Sequence, residues 1–150
     1  MPNPVSSANF MGHPIHPMLV LFPVAFFVGT FLCDVAFWYS GNALWATASL
    51  WVLGAALVTA ALAAIAGLID FLGDAQIRSL TDAWHHAIGN VIAVLISLFN
   101  FYWRYRYGAA GIIPTGLVMS LIVVGILLFT GWKGGELVFR HRVAVYDEPK

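Results

Sequence analysis

The chain has very little charge. Only 9% of its 150 residues are charged and 61% are hydrophobic, whereas a soluble domain carries about 25% charged residues. That shortage excludes an ordinary water-soluble fold and points to an integral membrane protein. Net charge is zero, which argues against nucleic acid as a partner. The one cysteine, Cys33, lies inside an apolar run. It makes no internal disulfide, and it excludes a CxxC metal or redox motif. Residues 1–12 contain no Lys or Arg, so no cleavable signal is expected there and the segment reads as a short flexible tail. P-loop, GxGxxG, HExxH and GxSxG motifs are all missing. A stand-alone catalyst is therefore not the expected reading.

What the chain does have is four apolar runs, at roughly Ile15–Tyr39, Asn42–Asp70, Ala83–Trp103 and Ile112–Trp132. A helix needs about 20 apolar residues to cross a bilayer. The connections are short, so neighbours run antiparallel and the expected fold is all-α: an up-down-up-down four-helix membrane bundle with both termini on one side. One domain fills the chain, and no internal repeat is legible. Arg104 and Arg106 fall on one face; Arg78, Lys133, Arg140, Arg142 and Lys150 fall on the other with the termini. The positive-inside rule then places the termini in the cytoplasm. Pro23 should free the Leu19 carbonyl and bend the first span. Small residues at Ala56, Ala60 and Ala64, and at Ala63 and Gly67, mark the second span as closely packed. The pair Gly134–Gly135 suggests a sharp turn.

All five histidines, His13, His16, His85, His86 and His141, fall at span ends on the terminal side. Imidazole ligates haem iron, zinc and copper. His13 and His16 are three apart at the opening of the first span. They read either as ligands facing the bundle or as two interfacial groups. Adjacent helical residues point about 100° apart, so at most one of His85 and His86 faces inward. His86 shares a face with Asn90 and is the inward choice. Asp70 can accept from a ligand histidine or pair with Arg78. Glu136 and His141 follow the fourth span and fold back under the bundle or form a solvated tail.

Asp34 lies roughly 27 Å from His16 along a helix, on the opposite face. Arg104 or Arg106 is its expected partner, in an interfacial salt bridge. No histidine sits on that face, so a haem would have one site, near the cytoplasmic end. Such a site cannot carry electrons across the bilayer alone, and a separate redox protein would be the partner. Oligomers are compatible with the sequence.

Gly12-His13-Pro14-Ile15-His16-Pro17, Gly67-Leu68-Ile69-Asp70, His86-Ala87-Ile88-Gly89-Asn90 and Gly131-Trp132-Lys133-Gly134-Gly135-Glu136-Leu137-Val138 together resemble the bacterial membrane proteins called domain of unknown function 2231. The resemblance runs from about Gly12 to Val145. The family's recurrent polar positions fall on His13, His16, Asp34, Asp70, Arg78, His86, Asn90, Glu136 and His141. The resemblance implies a redox setting and favours haem b over a structural metal. The expected ligands are His16 and His86, then His13 and His141, with Asp70, Asn90, Glu136 and Arg78 in support. The alternatives are a transition-metal ion on His13, His16 and His86, a proton-handling cluster, or a scaffold without cofactor whose histidines hold helix ends together.

Overall fold

The computed structural model describes residues 3–145; Lys150, counted above among the positive charges, lies outside them. Three stretches are long and apolar enough to cross a membrane: Ile15–Ser40, Ala43–Gly73 and Thr81–Arg140. The third doubles back on itself. Its first arm is helix α5 (Thr81–Tyr107) and its second is α6 (Leu117–Gly135), and the two pack together. Gly108 at φ 57° and the extended Ile113 break the helix between them.

The first stretch is also two helices, α1 (Ile15–Leu19) and α2 (Leu21–Ser40). The break falls at Val20, where Pro23 leaves the Leu19 carbonyl without its donor. Gly41 ends α2 in the left-handed conformation, and Asn42 caps α3 (Ala43–Gly73) by accepting from the Leu44 N–H. Thirty-one residues make α3 about 46 Å long, well beyond a hydrocarbon core of about 30 Å. The short α4 (Ala75–Ser79) then lies between α3 and α5.

Around the bundle, α2 packs on α3 and α6, and α5 packs on α6 and α3. Phe27, Leu53, Ala56, Ala60, Ala93 and Val123 form the core. In lipid, such a core is held by close packing rather than by escape from water. Ala56, Ala60 and Ala63 are buried as the spacing predicts, but Ala64 faces outward.

Two expectations change. The N-terminal segment is built rather than loose: strands β1 (Asn9–Phe10) and β2 (His13–Pro14) pair, and Ser6 and Ala8 are buried. The Asp70 carboxylate causes this by accepting from Ser6 Oγ at 2.8 Å and from the Ala8 N–H at 2.7 Å. The expected sharp turn at Gly134–Gly135 is absent. Gly135 is helical, and the helix widens into a π turn over Glu136–Arg140. The two ends of the described chain meet, with the Ala144 N–H donating to Pro4 O at 2.9 Å.

Candidate functional site: a histidine pair at one end of the bundle

His16, on α1, and His86, one turn into α5, meet across the bundle with ring centroids 6.0 Å apart and planes at 84°. Each ring is held the same way. His16 Nδ1 donates to Ala63 O and His86 Nδ1 donates to Thr130 O, both at 2.8 Å. A carbonyl oxygen only accepts, so each Nδ1 carries a proton, and in the neutral form of either ring the lone pair is on Nε2.

Both rings lie against a glycine. A Cβ on Gly67 would sit 2.8 Å from His16 Nδ1, and one on Gly134 would sit 3.2 Å from His86 Cε1. Each glycine is four residues beyond the carbonyl that holds the ring, one helical turn along. The sequence marks Gly67 as a packing residue and misreads Gly134 as a turn signal. Their shared role becomes legible only once Ala63 and Thr130 are known as partners.

Asn90 steadies His86. Its Nδ2 donates to His86 O at 2.8 Å, and its Oδ1 accepts from Thr130 Oγ1 at 3.2 Å. Thr130 therefore links the two residues through its hydroxyl and its carbonyl. The i, i+4 spacing of His86 and Asn90 anticipates this.

The other candidates go elsewhere. His13 is exposed, with Nδ1 3.1 Å from Met11 O. His85 is exposed beside Phe129. His141 does fold back, but onto Asp82: its Nε2 is 2.9 Å from Asp82 Oδ2, and Lys133 Nζ is 2.8 Å from Oδ1. Glu136 pairs with Arg140 one turn on. The expected Asp70–Arg78 pair is not formed. Arg78 reaches the main-chain oxygens of Phe71 and Leu72 at the end of α3, where a cation complements the helix dipole. Asp70 holds the N-terminal segment instead of a histidine. Among the described residues no group of three or more His, Cys, Asp or Glu is placed to hold a metal ion.

The far end of the bundle carries the other polar cluster. Asp34 and Arg104 pair there through both carboxylate oxygens, at 2.6 and 2.7 Å. The side chains are 0% and 1% exposed, so the bridge is buried and not interfacial as expected. Ser120 Oγ donates to Asp34 at 2.7 Å, and Arg104 Nε donates to Asn100 Oδ1 at 2.8 Å. Ser49 completes the cluster as a partner of both charges. The sequence shows Asp34 and an arginine at matching depth, but not the Ser49, Asn100 and Ser120 lining that lets the pair sit inside.

These features define a multi-pass helical membrane protein with a histidine pair at one end and an enclosed ion pair at the other. The chain belongs to the DUF2231 family of predicted membrane proteins, whose family model matches residues 12–147. No curated protein and no solved structure matches it.

Proposed function

We propose that His16 and His86 would hold a b-type haem, and that the protein passes electrons at that end of the bundle. The observation that carries this reading is the shared tautomer. A ligating histidine characteristically donates its second ring N–H to a carbonyl or carboxylate, which fixes its orientation and raises its basicity. Both rings meet that condition here, on Ala63 O and Thr130 O. The donor set agrees. A structural zinc ion takes four protein ligands, whereas two imidazoles suffice where a porphyrin supplies the rest. Bound haem would supply one-electron chemistry; the chain supplies two oriented neutral bases and a glycine-lined end.

The charge distribution supports a cytoplasmic position for this end. Arg104 is enclosed with Asp34, so among the described residues Arg106 stands at the far end against Arg78, Lys133, Arg140 and Arg142 at the near one. A redox protein would dock on the same face, because the far end has no histidine.

The test is a histidine panel in protein expressed with haem supply. His16→Ala and His86→Ala should each lose most of the bound haem, while His13→Ala and His85→Ala keep it. Haem content unchanged in the first two variants would defeat the assignment. A wild type free of haem and metal would favour the scaffold reading.

A further inference from the structure

The buried residues of α2 are Pro23, Phe27, Thr30 and Asp34. Seventy positions on stand Ala93, Ser97, Asn100 and Arg104, which are the buried residues of α5 after its first turn. The second helices match as well, with a shift of 67. Ser49, Leu53, Ala56 and Ala63 are four of the seven buried residues of α3. Their counterparts Gly116, Ser120, Val123 and Thr130 are buried on the return arm. The shift falls from 70 to 67 because three fewer residues separate Arg104 from Gly116 than separate Asp34 from Ser49.

The same shifts relate the functional geometry. His16 maps onto His86, its acceptor Ala63 onto Thr130, and the glycine beneath it, Gly67, onto Gly134. Two contacts join residues to their own counterparts: His16 to His86 at one end, and Asp34 to Arg104, separated by 70 positions, at the other. That is the signature of residues lying on a twofold axis. The packing order obeys it too, since exchanging α2 with α5 and α3 with α6 leaves the neighbours unchanged.

We infer that the chain is a tandem duplication of one two-helix unit, and that its pseudo-twofold axis runs along the bundle through both polar pairs. Each unit contributes one imidazole, one acceptor carbonyl and one glycine to the histidine pair. The units differ where identity would be harmful. Two aspartates or two arginines on the axis would put like charges together in a buried site. Asp34 facing Arg104 therefore selects the pairing of unlike units, by repulsion against the alternatives as well as attraction. This inference stands on packing register and does not depend on haem.

The test uses the full chain in detergent. Asp34→Arg and Arg104→Asp, each alone, should lower the yield of monodisperse protein by about tenfold or more. Exchanging the facing residues of α2 and α5, Thr30→Asn, Asp34→Arg, Asn100→Thr and Arg104→Asp, should recover most of it, since Ser49 and Ser120 touch both charges and stay in place. A tryptophan scan of residues 21–37 and 91–107, read by thermal unfolding, covers the case in which the charge variants fail to fold. The two sensitivity profiles should superpose at a shift of 70. An exchange variant as poor as the single reversals, with profiles that superpose best at another shift, would overturn the duplication.

Discussion

Arg104→Leu should be the most damaging charge-removing substitution in the bundle, with a loss of about 3–5 kcal/mol. Removing the guanidinium leaves the Asp34 carboxylate enclosed with only the hydroxyls of Ser49 and Ser120 as partners. It also strips Asn100 Oδ1 of its donor. A buried ion pair adds little over a well-packed apolar pair, but removing one member leaves an uncompensated charge. Arg104→Lys should fall between wild type and Arg104→Leu, since an ammonium cannot span both carboxylate oxygens and Asn100 together. Asp34→Asn/Arg104→Leu should be milder than Arg104→Leu, because no buried charge remains. Chemical unfolding in detergent micelles measures all three. A loss for Arg104→Leu within the range of about 1 kcal/mol seen for exposed ion pairs would mean that water reaches the cluster.

Gly67→Ala should act on the histidine pair while leaving the fold nearly intact. The new methyl would lie 2.8 Å from His16 Nδ1 and 2.9 Å from Cε1, inside contact distance. The helix backbone cannot yield, so the ring must swing away and release Ala63 O. Loss of such a supporting partner typically lowers metal affinity about 10–100-fold, and the same loss of haem affinity is expected here. Gly134→Ala should do likewise but less, because its methyl would meet His86 at 3.2–3.3 Å. Gly125→Ala and Gly131→Ala meet nothing within 4 Å and serve as controls. Haem titration followed by absorbance separates the four. Equal affinity in Gly67→Ala and Gly125→Ala would show that the ring's position does not govern binding.

The helices were legible because a bilayer permits few alternatives. Four apolar runs with short polar joints leave an antiparallel bundle as the simplest reading. The choice of His86 over His85 was legible too, from helical geometry and from Asn90 one turn away. The partners of the histidines were not. Ala63 and Thr130 act through their main-chain oxygens, which no side-chain pattern reports. Asp70 was misassigned for a related reason: its partners are Ser6 and the Ala8 N–H, in a segment that reads as loose from its composition. The duplication was hidden because it survives in burial and not in residue type. Phe27 corresponds to Ser97, Leu53 to Ser120 and Asp34 to Arg104, so a search for like residues passes over it.

The most direct measurement is an absorption spectrum of the detergent-purified protein, expressed with ample haem supply, before and after dithionite reduction. The account predicts a Soret band and, on reduction, the sharp α and β bands of a six-coordinate b-type haem, at one haem per chain. A featureless visible spectrum from folded, haem-supplied protein would contradict it, and would leave His16 and His86 as clamps that hold α1 to α3 and α5 to α6.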